Sequence, residues 1–272
     1  MNTSPDRTRG LFLIIDRRNH RGLTHWIDEL EKREIPAVIK LDEYMVDNFC
    51  DLVRDISERG FEVGCSYNEQ PFWEVDYDGQ YEIMSRLKEK LDVCSGKSTR
   101  VFGSKYFAYD ESTLQIADKL GIDYVLARGT AGARALVYKA EEYNARIISV
   151  SNVPSKQLGT GSLCDESLWC RGETSEDFRK ILFDLKEDRI ILVAQTHISG
   201  VKRNWRNTYR EFLDRDMIQW QSIDDFAEEP MVLPNARIPI NTRADYRTPR
   251  PKIPLEEEPD LPFESLFGHV QK

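Results

Sequence analysis

The segment Leu11–His20 joins an apolar run to polar side chains that could do chemistry. Residues 11–15 are all apolar, and they are followed by a carboxylate, two guanidiniums, an amide and an imidazole, from Asp16, Arg17, Arg18, Asn19 and His20. An unbroken apolar run of this length is typical of a strand that is buried on both faces. Active sites of parallel sheets and α/β barrels lie at the carboxyl ends of such strands. The sequence therefore predicts that the polar segment lines a site, with a solvated loop as the alternative.

A second apolar run, Arg189–Ala194, also ends close to a histidine, His197. Asp16 and His197 are thus a carboxylate and an imidazole that follow two predicted strands. Side chains of these two types can act together as acid and base. We therefore predict that Asp16 and His197 are the catalytic residues, if the protein is an enzyme.

Four basic residues follow predicted strands and could converge with this pair: Arg17, Arg18, Lys105 and Arg128. Arginine suits phosphate or carboxylate ligands because its guanidinium can form two parallel hydrogen bonds. For Arg17 and Arg18, ion pairs with surface acids are an equally good interpretation. Tyr106 could stack on a sugar ring, although an aromatic residue more often serves packing.

The composition excludes some classes of protein. The chain has 272 residues, a formal net charge of −9 and a pI of about 5.2, whereas nucleic-acid binders are usually basic. No apolar stretch approaches the roughly 18 residues that a membrane helix needs. The first ten residues are polar and carry no signal-peptide apolar region. We therefore expect a cytoplasmic protein with neither a nucleic-acid partner nor a membrane segment.

The cysteine pattern favours free thiols. The chain has five cysteines, at positions 50, 65, 94, 164 and 170, and this odd number occurs without a recognisable leader. Cys164 and Cys170 lie in a predicted loop rich in glycine and serine. No second cysteine pair or nearby histidine completes a zinc-ribbon pattern.

Hydrophobic periodicity predicts an alternating α/β chain. The predicted strands are residues 11–15, 35–39, 61–65, 100–102, 123–127, 146–150, 189–194 and 218–220. The predicted helices are residues 23–33, 44–59, 80–91, 110–120, 174–186, 207–214 and 223–228. Thr174 and Asp177 form a capping pattern at the start of one of them. About seven alternations build parallel sheets with right-handed crossovers. We predict a (β/α) barrel over residues 1–228, with a doubly wound open sheet as the alternative.

The C-terminal segment, residues 229–272, has a different composition. Eight of the 12 prolines lie in it, so it cannot be a regular helix or a central strand. It also carries spaced isoleucine, leucine and phenylalanine residues, which a disordered tail would usually lack. We predict that this segment is an ordered arm on the barrel surface, where it could form a homodimer contact. A disordered tail is the alternative.

The order and spacing of several segments resemble the polysaccharide deacetylase (NodB-homology) family, carbohydrate esterase family 4. The segments are Leu30–Ala37, Leu52–Gly64, Tyr106–Leu114, Leu120–Leu126, Ile190–His197 and Trp220–Ala227. The resemblance covers roughly residues 10–228. It implies a distorted (β/α)7 barrel. It also implies metal-dependent removal of an acyl group from an N-acyl sugar, which is hydrolysis of a non-peptide C–N bond.

The family pattern is only partly present in this chain. Asp16 matches the family's general base, and His197 matches its general acid. The adjacent metal-binding aspartate is replaced by Arg17, and the two metal-binding histidines fall on Ser66 and Gln70. A guanidinium cannot ligate a cation, and neutral serine and glutamine are weak ligands. The chain therefore resembles a divergent member without the usual metal ligands.

We expect no metal cofactor at the family's position. A relocated divalent metal held by Asp16, His20 and His197 is the less favoured alternative, because two imidazoles and a carboxylate form a reasonable ligand set. The arginines beside these residues argue against it.

Three functions follow from the resemblance and the residues. The first is an enzyme that acts on an acylated or charged sugar in cytoplasmic glycan (surface polysaccharide) biosynthesis. The second is a non-catalytic barrel that binds a sugar, a nucleotide sugar or a protein partner; a protein whose Pro-rich arm mediates interactions is a third. The candidate substrate-binding residues are Arg17, Arg18, His20, Ser66, Lys105, Tyr106 and Arg128. Because arginines stand where the family keeps a metal, we expect a negatively charged sugar to be preferred over a neutral one.

Overall fold

The apolar run that the sequence singles out forms β1, Thr8–Ile15, which lies between β10 and β2 in the main sheet. The computed structural model describes residues 7–129, 132–156 and 159–240. Further strands are β2 Ala37–Leu41, β3 Glu62–Tyr67, β4 Val101–Ser104, β5 Tyr124–Ala127, β6 Leu136–Ala140, β7 Arg146–Ser149, β8 Asn152–Pro154, β9 Thr160–Ser162, β10 Arg189–Gln195, β11 Ile218–Trp220 and β12 Met231–Leu233. The helices are α1 His20–Glu31, α2 Glu43–Asn48, α3 Cys50–Glu58, α4 Tyr77–Ser95, α5 Glu111–Leu120, α6 Asp165–Trp169, α7 Ser175–Phe183, α8 Arg203–Leu213 and α9 Ile223–Phe226.

The sheet curls into a distorted barrel. Within the described residues, seven parallel strands follow the order β10-β1-β2-β3-β4-β5-β7, and β6 then pairs antiparallel with β7. The gap between β7 and β10 is bridged by single contacts. Ala135 N donates to Arg189 O at 2.9 Å, and Val193 N donates to Leu163 O at 3.0 Å. The predicted (β/α)7 architecture is confirmed, and the open doubly wound sheet is not formed.

Two apolar layers bury the parallel strands from both sides. Along β1, Leu11 and Leu13 belong to one buried cluster, while Phe12 and Ile14 belong to another that includes Trp26 of α1. All of these side chains have no solvent exposure. Successive strand residues point to opposite faces, so a strand covered on both faces must be apolar throughout. This is the physical reason for the unbroken run.

The predicted helix over residues 44–59 is in fact two helices. Phe49 lies between α2 and α3 with φ −138° and ψ 40°, which is outside the helical range. Its ring stacks on the ring of His20 at a centroid distance of 4.7 Å. Periodicity alone missed this break because the same apolar spacing continues through both helices. The predicted capping pattern of Thr174 and Asp177 is confirmed as a reciprocal capping box on α7.

A disulfide contradicts the expectation that all five thiols are free. Cys50, at the start of α3, is bonded to Cys94, near the end of α4, with a Cα–Cα distance of 5.1 Å. The two cysteines are 44 residues apart, and only the packing of α3 against α4 brings them together. Cys65, Cys164 and Cys170 are free. The segment between Cys164 and Cys170 contains helix α6 and is not the predicted loop.

The start of the predicted arm packs on the barrel. Strand β12 pairs with β6, and Tyr109 Oη donates a hydrogen bond of 2.9 Å to the carbonyl of Pro239. Residues 241–272 lie outside the described residues, so the arm and the division at residue 228 stay predictions. No helix in the described part of the chain is long and apolar enough to cross a membrane.

Candidate functional site

A cavity of about 310 Å³ opens at the carboxyl ends of the parallel strands. Five basic side chains from different elements line it: Arg17, Lys40, Lys105, Arg128 and Arg171. Glu166 is the single acid among the described residues that line it. The sequence predicted Arg17, Lys105, Tyr106 and Arg128 at this site, and the structure brings them together. Lys40, Glu166 and Arg171 were missed.

Asp16 lies at the end of β1, where it is completely buried and does not line the cavity. Its carboxylate accepts hydrogen bonds from the hydroxyl of Thr196 at 2.8 Å, from Arg18 N at 2.8 Å and from Asn19 N at 3.3 Å. Burial raises the pKa of Asp16 to about 6, and these hydrogen bonds offset part of the effect. The carboxylate therefore joins the loop after β1 to the loop after β10.

His197 pairs with Glu166 rather than with Asp16. The distance from its Nε2 to Glu166 Oε1 is 3.3 Å. Its Nδ1 is buried and has no hydrogen-bond partner in the described structure. Burial alone would raise the pKa of Glu166, but the His197 imidazole and the Arg17 guanidinium outweigh it and keep the pKa below its usual range. Asp16 and His197 thus lie at the same end of the barrel, but each has its own partner.

Asp165 holds the wall that carries Glu166 in place. Its buried carboxylate accepts hydrogen bonds from Ser199 Oγ at 2.5 Å, from Gln195 N at 3.1 Å and from Glu166 N at 2.8 Å. These bonds tie the start of α6 to the loop after β10. They explain how Glu166 and His197 meet although they are 31 residues apart in the sequence.

Lys40 is the most unusual side chain in the cavity. It extends from β2 into the barrel, where its residue is 1 % exposed. Its ammonium lies 5.1 Å from the ring centroid of Phe107, and a Cβ on Gly103 would come within 2.7 Å of Nζ. In the described part of the chain, Nζ has no hydrogen bond or ion pair. Burial, with a smaller contribution from the nearby Arg17 guanidinium, lowers the pKa of Lys40 to about 7. The predicted strand stopped at residue 39, which is why the sequence pattern missed it.

Three orphaned polar atoms surround the same cavity. Asn68 Nδ2, Arg171 Nε and Gln195 Oε1 are buried and have no hydrogen-bond partner among the described residues. All three residues line the cavity. A buried polar group without a partner is costly and requires an explanation. Two donors and one acceptor around a cavity match a ligand that carries both hydroxyls and acceptor oxygens.

The loop after β4 has a backbone that is rare for its residue types. Tyr106 and Phe107 have φ values of 62° and 56°, in the left-handed region that favours glycine. Conformations of this kind cost about 1–3 kcal/mol each and cluster at ligand sites. Here they place two successive aromatic residues against the cavity.

Arg18, His20 and Ser66 do not line this cavity. Arg18 pairs with Asp42 at 3.4 Å and with Glu69 at 3.1 Å, as its ion-pair interpretation predicts. Arg18 and Ser66 instead border a second cavity, of about 200 Å³, whose other lining residues include several acids. The ring of His20 is stacked on Phe49.

The residues at the family's metal position do not fit a divalent cation. Arg17 carries a positive charge into the cavity, Ser66 Oγ donates to Asn68 Oδ1 at 3.3 Å, and Gln70 is exposed. None of the described residues form a group of three or more His, Cys, Asp or Glu side chains that could hold a metal ion. This includes Asp16, His20 and His197, which bind other partners. The absence of a metal stays a prediction that elemental analysis can test.

The curled parallel sheet and the cavity at its carboxyl edge define a NodB-type barrel. Residues 4–125 match the family model of the polysaccharide deacetylases, which confirms the resemblance inferred from the sequence. A comparison with curated protein sequences found no match.

Solved structures share the fold at low sequence identity. A candidate polysaccharide deacetylase from Mycobacterium smegmatis is similar with a TM-score of 0.66 and 13% identity, over 86% of this chain and 96% of the other. A peptidoglycan N-acetylglucosamine deacetylase gives a TM-score of 0.58 and 13% identity, over 82% and 89%. A mutant of a carbohydrate esterase family 4 pseudoenzyme, with restored enzymatic activity, gives 0.57 and 10%, over 84% and 71%.

Proposed function

We propose that this polysaccharide-deacetylase-like barrel binds a negatively charged sugar, such as a uronic acid, a sugar phosphate or a nucleotide sugar, in the cavity at the carboxyl edge of the sheet. The observation that carries the proposal is the charge of the lining, where Arg17, Lys105, Arg128 and Arg171, in addition to Lys40, face one carboxylate among the described residues. A partly closed site with one sign of charge attracts a ligand of the opposite sign.

The hydrogen-bonding groups of the cavity support a sugar as the ligand. Arg171 is 5 % exposed; its Nη1 is bonded to Ser167, and its Nε is orphaned at the cavity wall. Asn68 and Gln195 supply a second free donor and a free acceptor. A sugar hydroxyl can both donate and accept, which suits a lining whose residues offer donors as well as an acceptor. Tyr106 adds an aromatic face, against which the apolar face of a sugar can pack.

Hydrolysis of an N-acyl group is the second candidate function, and the pair formed by His197 and Glu166 favours it. The Glu166 carboxylate lines the cavity and lies 3.3 Å from Nε2 of His197, so this carboxylate can accept a proton from water and return it to a leaving amine. The peptidoglycan N-acetylglucosamine deacetylase with a similar fold carries out a reaction of this class. We derive no step through a metal, because Arg17, Ser66 and Gln70 do not fit one.

Glycan biosynthesis is the setting that this proposal implies. The cytoplasmic location expected from the sequence is not part of the proposal, because disulfides such as that of Cys50 and Cys94 are rare in reducing compartments. A homodimer through the C-terminal arm also stays a prediction.

Calorimetry with a nucleotide sugar and with a neutral chito-oligomer of similar size tests the proposed binding. We expect tighter binding of the anion, weakening as salt rises because part of the affinity is Coulombic. Arg17→Asp should reduce anion affinity at least tenfold, since it reverses a charge at the cavity. Arg54→Asp is the matched control, because Arg54 lies on α3 outside the cavity. Equal affinity for both ligands, or unchanged binding by Arg17→Asp, would show that the cluster is structural.

The hydrolytic candidate has a separate test. Incubation with an N-acetylated, uronic-acid-containing oligosaccharide should release acetate and free amine, and Glu166→Gln should abolish the release. If the wild-type protein binds the oligosaccharide but releases no acetate, the non-catalytic barrel is the correct interpretation.

A further inference from the structure

Lys40 combines three features that a purely structural lysine does not need. It is 1 % exposed, its Nζ makes no hydrogen bond or ion pair within the described structure, and it nevertheless lines the cavity. Buried ammonium groups are normally paired, because an unpaired buried charge is very costly. Lys40 is therefore either an amine without charge or a cation that awaits an anionic ligand.

The surroundings of Nζ favour the uncharged amine. The ring centroid of Phe107 lies 5.1 Å from Nζ, and Gly103, which Nζ approaches closely, has no side chain. Neither residue therefore offers Nζ a carboxylate partner. Charged and titratable groups that face it are Arg17 from the loop after β1 and the thiol of Cys65 on β3. Burial and the Arg17 guanidinium both disfavour the ammonium form and lower the pKa of Lys40 to about 7. Lysines activated as nucleophiles are found in apolar pockets or beside another cation, and Lys40 has both.

We propose that Lys40 is a nucleophilic amine that forms an imine with the carbonyl group of an anionic sugar or sugar fragment held in the cavity. The proposal rests on the proposed function for the charge of the ligand, and it adds that the ligand is in its aldehyde or ketone form. The basic groups at Arg17, Lys105 and Arg171 then hold the anionic end, while the carbonyl end reaches Nζ.

The chemistry balances without a further reagent. The lone pair of the neutral Nζ attacks the carbonyl carbon, the C–N bond forms, and the carbonyl electron pair moves to oxygen. The oxygen then takes up protons and leaves as water, while the nitrogen loses both of its hydrogens. The products are the imine and one water molecule. Hydrolysis reverses the reaction, so the modification is released unless the C=N bond is reduced.

Reductive trapping tests the proposal on the intact chain. Glyceraldehyde 3-phosphate is the anionic aldehyde probe, glyceraldehyde is its neutral counterpart, and cyanoborohydride converts any imine to a stable secondary amine. Peptide mass mapping then reports the modified lysines, with Lys180, whose side chain is 64% exposed, as an internal reference. We expect Lys40 to be modified at least tenfold faster by the phosphate than by the neutral aldehyde, and faster than Lys180. Glycerol 3-phosphate, which has no carbonyl, should compete.

Two variants separate charge from nucleophilicity. Lys40→Arg keeps a cation but lacks a primary amine, so it should bind glycerol 3-phosphate and form no adduct at residue 40. Lys180→Met should react like the wild-type protein at Lys40. If Lys40→Arg does not fold, the mapping of wild-type protein decides the question alone.

The outcomes distinguish this inference from the proposed function. If glycerol 3-phosphate binds but Lys40 is modified no faster than Lys180, the imine proposal is overturned and anion binding stands. If glycerol 3-phosphate shows no binding by calorimetry, the proposed function fails and the imine proposal fails with it.

Discussion

The hydroxyl of Thr196 donates a hydrogen bond of 2.8 Å to Oδ1 of Asp16, across 180 residues of sequence. The same hydroxyl accepts a hydrogen bond of 3.1 Å from Arg17 N. β1 and β10 are neighbouring parallel strands, so these bonds join the two loops at their carboxyl ends. These two hydrogen bonds fix the backbone next to Arg17 after β1 and next to His197 after β10.

Thr196→Val should destabilise the protein although it preserves the shape of the side chain. It removes a donor from a buried carboxylate and an acceptor from a backbone N–H, which should cost about 2–3 kcal/mol of unfolding free energy. Urea denaturation at pH 7 measures the change. Thr24→Val is the matched control, because the Thr24 hydroxyl donates only to a carbonyl of its own helix. Equal effects of the two substitutions would contradict the role of Thr196.

The stability of the protein should fall as the pH rises through the titration of Asp16. Its pKa is raised from 3.8 to about 6, so the folded state binds more protons than the unfolded state between these values. The linked loss of stability is on the order of 3 kcal/mol between pH 4 and pH 6, and it is complete above pH 6. Measured against Asp16→Asn, which does not titrate, wild-type stability should decline over this window. A difference that does not depend on pH would show that Asp16 ionises normally.

Lys40→Met should stabilise the protein at neutral pH. The pKa of Lys40 is lowered from 10.5 to about 7, so the folded state resists protonation of this side chain. The resulting penalty is on the order of 5 kcal/mol at and below pH 6, shrinks as the pH rises, and vanishes above about pH 10.5. Denaturation curves at pH 6 and pH 9 should therefore show a larger gain at pH 6. Lys139→Met, on β6 outside the cavity, is the matched control.

Reduction of the disulfide between Cys50 and Cys94 should lower stability. The bond closes a loop over a sequence separation of 44, for which chain entropy predicts a contribution of about 4 kcal/mol. Cys50→Ser together with Cys94→Ser should reproduce the loss, whereas Cys170→Ser, at a free thiol, should not. Titration of thiols in the unfolded, unreduced protein should give three, and after reduction five. Five thiols without reductant would mean that the bond does not form.

The purified protein should contain no stoichiometric zinc, because Arg17, Ser66 and Gln70 replace the family's metal ligands. Elemental analysis checks this. The triple variant Arg17→Asp, Ser66→His and Gln70→His restores the family's set of donor types and should take up about one zinc per chain. One zinc in the wild-type protein, lost in Asp16→Ala, would instead support a relocated site at Asp16.

The sequence by itself determined the parallel strands of the barrel and their order along the chain. The apolar run of β1 and the capping box of Thr174 and Asp177 are local signals, because strand burial and helix capping depend on residues within a few positions of each other. The polar residues that follow β1 indicated the carboxyl edge of the sheet, because they come directly after the strand in the sequence. Arg17 and Lys105 were therefore predicted at the cavity.

Only the tertiary structure decided which side chains meet. The pairs Thr196–Asp16 and His197–Glu166, and the bond between Cys50 and Cys94, join segments that are far apart in the chain. Their distances depend on how the sheet curls and how the helices pack, which no local pattern encodes. Lys40 shows this most clearly. A lysine near the end of a buried strand is an ordinary sequence feature, but the closed barrel excludes water from it and gives its Nζ no hydrogen bond or ion pair among the described residues.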